Sequence, residues 1–310
     1  MARLRSKFEA TYEKLFEGQS ISKIAPREDP TRFWADMFAL DVDSVWLANR
    51  LNALSREECV HEQKVLLGQM FRHALTFFTQ STDGDGAGAG ASAESGSGGE
   101  GEEQRRKRNA LETLVVFFHA VLQKDLAGWE IMDLLSGTMS ESDLIFGRLV
   151  EGIESTLENP EAPVALKHRT LQLALVFACG IGQLSPGAYL LRRDLFPSIV
   201  MLIKLPETTP FTFESILLIS VLLNYHKSEA ANLNPYLRRV RGSVDHTFLS
   251  KACWALGYAF DTVSKKYQEI QDDTPPSLAS TFGSFLTALR PDRALSSTPV
   301  ETPKELFKDQ

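Results

Sequence analysis

The chain has 310 residues, 43% of them hydrophobic and 24% charged, which is room for one large domain or two ordinary ones. Its formal charge of −7, from 33 basic and 40 acidic residues, argues against a nucleic-acid footprint, which would be basic. Three widely spaced cysteines, Cys59, Cys179 and Cys253, exclude a disulfide scaffold and suit a reducing compartment.

The first residues, MARLRSKFEATYEKLFEG, are charged throughout and lack the apolar run of a signal peptide, and Ala2 excludes myristoylation. Leu4, Phe8, Tyr12, Leu15 and Phe16 fall on one helical stripe over 4–17. A break at ISKIAPREDP leads to a short helix from Pro30 that carries Phe33, Trp34, Met37 and Phe38. Asp43 or Ser44 caps the next helix, and Ser55 with Glu58 forms a capping box for one running to about Phe78. Residues 81–104 then hold eight glycines, six acidic residues and no basic, aromatic or large aliphatic one. Such a stretch cannot offset its ordering entropy by burial, so it is expected to be a disordered linker. Without its six acids, the rest of the chain carries about −1.

Helical spacing resumes over 106–123, around WEIMDLL, over 140–157, and over 163–183 after the break ENPEAP. Short segments at 187–193 and 195–204 follow, then an apolar helix over 211–226, a short one from Asn234-Pro235, and a long one over about 244–270. The apolar runs ILLISVLL and LQLALVFACGIG are too short to span a bilayer, so no transmembrane segment is expected. Continuous β-type alternation is scarce. The class is therefore all-α. Short connections and helices apolar on more than one face point to an armadillo/HEAT-like α-solenoid of stacked antiparallel helix pairs with a period of roughly 40 residues. A compact irregular bundle is the alternative. The expected organisation is solenoid helices over 1–80, a Gly/Ser/acidic linker over 81–104, continued solenoid over 105–272, and an amphipathic helix with a disordered tail over 273–310.

Catalytic and metal chemistry finds little support. Cys59 and His61 are two residues apart and point to different helix faces, and neither has a partner pair beyond His73. Cys179 and Cys253 lie in strongly apolar helices, where a thiol is a small inert hydrophobe. The Gly86–Ala91 run imitates a dinucleotide fingerprint but follows a helix and precedes acidic residues. No cofactor is expected. Arg105–Arg108 is a basic cluster that reads as a solvated helix start or as a localisation or anionic-lipid patch. In SLASTFGSFLTAL, residues Leu278, Phe282, Phe285, Leu286 and Leu289 share one face, against an uncharged Ser/Thr face. That composition fits either a helix capping the solenoid or one docking on a membrane or partner.

Two segments carry a family resemblance: DPTRFWADMFALDVDSVWLANRL at 29–51 and SILLISVLLNYHKSEAANLNPYLRRV at 215–240. Together they resemble the N-terminal half of the armadillo-like helical domain-containing protein 3 family, over roughly residues 5–290. The resemblance implies a non-enzymatic, cytosolic helical scaffold, peripheral at the Golgi. It also implies binding to the type III beta phosphatidylinositol 4-kinase, in support of phosphatidylinositol 4-phosphate supply and secretion. Asn224, Tyr225, Asn234, Pro235 and Tyr236 carry over, with a structural role. The 81–104 stretch departs from the family, and members are about twice as long with a distinctive C-terminal domain, so a fragment is expected. The competing reading is a general soluble peptide-binding adaptor with no lipid link. An enzyme would need a cluster of titratable groups that the sequence does not offer.

Overall fold

The computed structural model of the protein describes residues 6–26, 29–80, 101–182, 184–225 and 232–271. Every regular element among the described residues is helical, with no strand. Leu4, the glycine-rich stretch up to residue 100, and Leu278, Phe282, Phe285, Leu286 and Leu289 lie outside the described residues.

The helices are α1 (Lys7–Phe16), α2 (Ile21–Ile24), α3 (Pro30–Phe38), α4 (Ser44–Ala53), α5 (Lys64–Thr79), α6 (Glu102–Val121) and α7 (Gly128–Ser136), followed by α8 (Ser142–Glu158), α9 (Val164–Ile181), α10 (Gly187–Arg192), α11 (Phe196–Lys204), α12 (Thr212–Leu223), α13 (Pro235–Arg241) and α14 (His246–Gln271). Their starts follow local capping chemistry. Asp29 accepts from the Thr31 amide at 3.0 Å, with Pro30 at the first helical position. Asp43 accepts from the Trp46 amide at 2.9 Å. Ser55 and Glu58 form the reciprocal box, at 2.7 and 3.1 Å.

Two elements differ from the sequence reading. The helix expected from Ser55 to Phe78 is divided by a π turn at Glu58–Glu62, after which α5 starts at Lys64. The wide turn leaves Cys59 fully buried and brings Gln63 to the end of α1, where its amide donates to the Phe16 carbonyl at 3.0 Å. Helix α6 begins at Glu102, inside the stretch read as linker over 81–104. Glu102 and Glu103 complement the positive end of the helix, and Glu102 pairs with Arg106 one turn on at 2.5 Å. The basic cluster Arg105–Arg108 thus lies within the first turns of α6.

The chain divides into two compact units, residues 1–153 with 180–189, and residues 154–179 with 190–310. The division runs through α8 and α9, not at the glycine-rich stretch. In the first unit α5 packs on α3, α6 and α7, and α6 also packs on α3 and α4. Lys107 near the start of α6 reaches the Gln80 carbonyl at the end of α5, while Phe117 and Phe118 meet Phe71, so α5 and α6 run antiparallel. Phe8, Tyr12, Trp34 and Phe38 form an aromatic core beside them, each at most 2% exposed. Buried Asn109 of α6 donates to the Phe38 and Leu40 carbonyls at 2.9 and 2.8 Å, closing the end of α3. In the second unit α12 packs on α11, α13 and α14.

A period runs through the long-range hydrogen bonds. His168–Glu214, Ala178–Tyr225, Leu190–Tyr236 and Ile203–Lys251 join residues 46, 47, 46 and 48 apart. The first two bonds advance together along both partners, so α9 and α12 run parallel, as equivalent helices of successive repeats do. In the first unit Arg56–Glu130, Lys64–Asp133, Asn109–Phe38 and Thr79–Arg148 are 74, 69, 71 and 69 apart. Each of these spans residues 81–104. Without those 24 residues the separations return to about 45–50, the spacing of armadillo and HEAT repeats. The fold is all-α and armadillo-like.

Candidate functional site

The LLNY…NPYL segment builds a buried polar clasp in the second unit. Helix α12 ends at Leu223, and the Asn224 side chain folds back to donate to the Ser220 carbonyl at 2.8 Å. The Tyr225 hydroxyl donates to the Ala178 carbonyl of α9 at 2.7 Å. Asn234 is fully buried and N-caps α13. Its side-chain oxygen accepts from the Tyr236 and Leu237 amides at 2.9 and 3.3 Å. Its side-chain nitrogen donates to the Leu222 and Leu223 carbonyls at 2.8 and 3.2 Å. One side chain therefore satisfies orphan groups of two helix ends. Pro235 occupies the first turn of α13, where its missing amide hydrogen costs nothing. The Tyr236 hydroxyl donates towards the Leu190 and Arg193 carbonyls at 2.7 and 3.0 Å and accepts from the Leu195 amide at 3.4 Å. Burial pushes both phenols well above their ordinary range, so they stay protonated donors. Of the five, Tyr225, Asn234 and Tyr236 are buried away from solvent.

The surface beside the clasp is basic. Arg192, Arg193, Arg238 and Arg239 line a cleft of about 410 Å³ around Asp194. Arg193 pairs with Glu154 at 2.6 Å, and Arg239 grips Asp194 through two nitrogens. A second polar cluster, missed by the sequence reading, lies where α9 meets α12. His168 stacks on Phe211 with ring centres 3.7 Å apart, and its Nε2 is 2.7 Å from a Glu214 oxygen. The two residues are 46 apart in sequence, one repeat, and only the period would have paired them.

The largest unexpected feature is on α14. Its inner side is anchored: Phe248 meets Phe196 edge-on at 5.5 Å, Tyr258 meets Phe213 edge-on at 5.3 Å, and Lys251 donates to the Ile203 carbonyl at 2.5 Å. Asp245 caps the helix through the Phe248 amide at 3.1 Å and pairs with Lys204 at 2.6 Å, which holds its carboxyl below the usual range. The outer side carries Leu249, Cys253, Leu256, Phe260, Val263 and Tyr267, all exposed; Leu256 and Phe260 are 64% and 71% exposed. Steps of four, three, four, three and four residues place them on one seam, the spacing of a helix that packs along another helix. A continuous apolar stripe of this length is uncommon on a protein surface.

Among the described residues no group of three or more His, Cys, Asp or Glu side chains is placed to hold a metal ion. Burial pushes the Cys59 thiol up and the half-buried His73 imidazole down, the latter stacked on Trp34 at 5.5 Å. Cys179 and Cys253 are exposed, contrary to the buried role read from their apolar helices. Apolar composition alone does not say which face of a helix is covered. Helix α9 is long and apolar enough to cross a membrane by length and composition, whereas its apolar run alone reads as too short; 67% of it is buried inside the protein.

No protein-family model matches the chain, and no solved structure does. Curated relatives do match. The armadillo-like helical domain-containing protein 3 of Danio rerio is 23% identical over 292 residues, 92% of this chain and 38% of that protein. Its Homo sapiens counterpart is 24% identical over 276 residues, 87% of this chain and 36% of the relative. The Xenopus laevis protein is 22% identical over 261 residues, 81% and 34%. The chain spans a little over a third of the length of these relatives, and across most of its own length it is similar to the armadillo-like helical domain-containing protein 3 proteins.

Proposed function

We propose that the chain is the helical-repeat part of a non-catalytic scaffold, a peripheral adaptor at Golgi membranes. Its partner is a type III beta phosphatidylinositol 4-kinase, and its output is phosphatidylinositol 4-phosphate supply for secretory traffic. The scaffold reading is supported by the likeness to armadillo-like helical proteins and by the repeat period of the fold. The observation that carries it furthest is the apolar seam of α14, a surface fit for helix docking and not for turnover of a small substrate. The kinase and the Golgi come from the family resemblance of residues 29–51 and 215–240.

The test is a pull-down with purified components. The full chain, immobilised, is offered the recombinant kinase, with an unrelated helical-repeat protein as the control bait. Retention at a Kd in the micromolar range or tighter supports the reading. No retention above the control, together with no Golgi enrichment of the tagged chain in cells, leaves the general soluble adaptor as the better account.

A further inference from the structure

We propose that the arginine cleft of the second unit, between the end of α10 and α13, binds a phosphate monoester, carried on a soluble molecule or on a lipid headgroup. Three observations carry this. The first is charge. The chain as a whole is acidic, at −7, yet Arg192, Arg193, Arg238 and Arg239 line this one cleft with Asp194. Against the carboxylates of Asp194 and Glu154, the latter paired with Arg193 at 2.6 Å, they leave an excess of two positive charges. A phosphate monoester near neutral pH carries close to that charge with the opposite sign.

The second is hydrogen-bonding capacity. Arg238 is exposed and has no carboxylate partner among the described residues. Arg239 spends two of its five N–H donors on one Asp194 oxygen, through Nε at 2.8 Å and through Nη2. The other Asp194 oxygen accepts from the Phe196 amide at 3.3 Å, so this carboxylate is tied down on both sides. Guanidinium forks bind phosphate oxygens in pairs. A peptide carboxylate would bring two oxygens and one charge to a cleft that already holds Asp194, whereas a phosphate monoester brings three oxygens and nearly two charges. The third observation is rigidity. Tyr236 of α13 donates towards the Leu190 and Arg193 carbonyls at 2.7 and 3.0 Å, which joins the two walls of the cleft through one buried side chain. Asn234 fixes the start of α13 by accepting from the Tyr236 amide at 2.9 Å. The backbone that presents the arginines is therefore set before a ligand arrives, and mainly side-chain ordering opposes binding. The volume of about 410 Å³ suits a phosphorylated small molecule or headgroup.

The experiment uses the full chain. It is titrated calorimetrically with phytate, a soluble phosphate monoester. It is also floated with phosphatidylcholine vesicles that contain either phosphatidic acid, a lipid phosphate monoester, or phosphatidylserine, an anionic phosphodiester. The expected result is binding of phytate or of phosphatidic acid vesicles, weakened about ten-fold or more by Arg238→Gln. Arg105→Gln removes the same charge from α6 in the first unit and should leave binding unchanged. Both positions are exposed, and unchanged helical circular dichroism checks that both variants keep their fold. Binding of phytate without the vesicles supports a soluble ligand, and binding of phosphatidic acid vesicles without phytate supports a headgroup. No binding of any probe overturns the proposal. Equal losses in the two variants, or phosphatidylserine vesicles held as well as phosphatidic acid ones, overturn it in favour of diffuse charge attraction.

Discussion

Tyr12 and Tyr236 are both buried phenols, and their hydroxyls meet opposite surroundings. The Tyr12 hydroxyl lies among Phe8, Phe16 and Trp34 with no hydrogen-bond partner among the described residues, whereas that of Tyr236 serves three backbone groups. A buried hydroxyl without a partner costs its desolvation and returns nothing, and a paired one returns about 1 kcal/mol or more. Tyr12→Phe should therefore leave stability unchanged or raise it by up to about 1 kcal/mol, and Tyr236→Phe should lower it by about 1–2 kcal/mol. Urea unfolding midpoints of the two variants decide this, and equal shifts would refute the contrast. Alkali gives the same pair a second readout. Both phenols titrate above their ordinary value in the folded chain. Above about pH 10 the unfolded chain releases these protons and the folded chain does not, so stability falls with rising pH from there, by up to about 1.4 kcal/mol per unit per tyrosine. Either substitution should make that alkaline fall shallower. Little of this was legible in the sequence. Pro235 at a helix start could be read from the residues themselves. That the Asn234 amide reaches the Leu222 and Leu223 carbonyls, 12 and 11 residues back, is encoded by no local pattern.

At the scale of elements, helices pack as closely as their smallest residues allow. A methyl group on Gly180 of α9 would stand 2.6 Å from Leu122 Cδ1 and 2.7 Å from its Cβ, the latter fixed to the backbone. Gly257 of α14 has nothing within 4 Å of the same position among the described residues. Gly180→Ala should therefore cost about 1–3 kcal/mol through overpacking. Gly257→Ala should stabilise by about 0.5–1 kcal/mol, because alanine loses less backbone entropy in a helix. Thermal melting of the two single variants tests the signs, and a destabilised Gly257→Ala would show that α14 is covered at that point. The helices themselves were largely legible. The break before Pro30, the caps at Asp43 and Ser55 and the break at ENPEAP place the starts of α3, α4, the segment leading into α5, and α9 within a few residues. The π turn was not, since an apolar pattern of 3.6 residues carries through one inserted residue with little change. The seam of α14 was hidden for a different reason: periodicity says which residues share a face, not which face a neighbour covers. Phe248 and Phe260 have the same chemistry, yet one is buried and the other exposed.

At the scale of the molecule, the repeat period assigns the glycine-rich stretch a place. In the first unit the Arg56–Glu130, Lys64–Asp133 and Thr79–Arg148 bonds join residues 69–74 apart, in the second the His168–Glu214 and Ile203–Lys251 bonds join residues 46–48 apart, and the excess is about the length of residues 81–104. The insertion therefore falls at the turn between α5 and α6, two helices that already pack against each other from Gln80 and Lys107 inward. A linker at such a place has only to close. Closure entropy grows as the logarithm of length, so replacing residues 81–100 with eight Gly/Ser residues should raise stability by less than about 1 kcal/mol. The replacement removes four of the chain's acidic residues, and the helical circular dichroism should be unchanged. It also moves the net charge from −7 to −3. If the insertion had instead been a domain boundary, shortening it would strain the contacts between Arg56 and Glu130 and between Lys64 and Asp133, which bridge the two sides. A loss of more than about 2 kcal/mol would therefore overturn the periodic reading for that repeat. A small gain would show that α5 and α6 form a single repeat interrupted only at its turn.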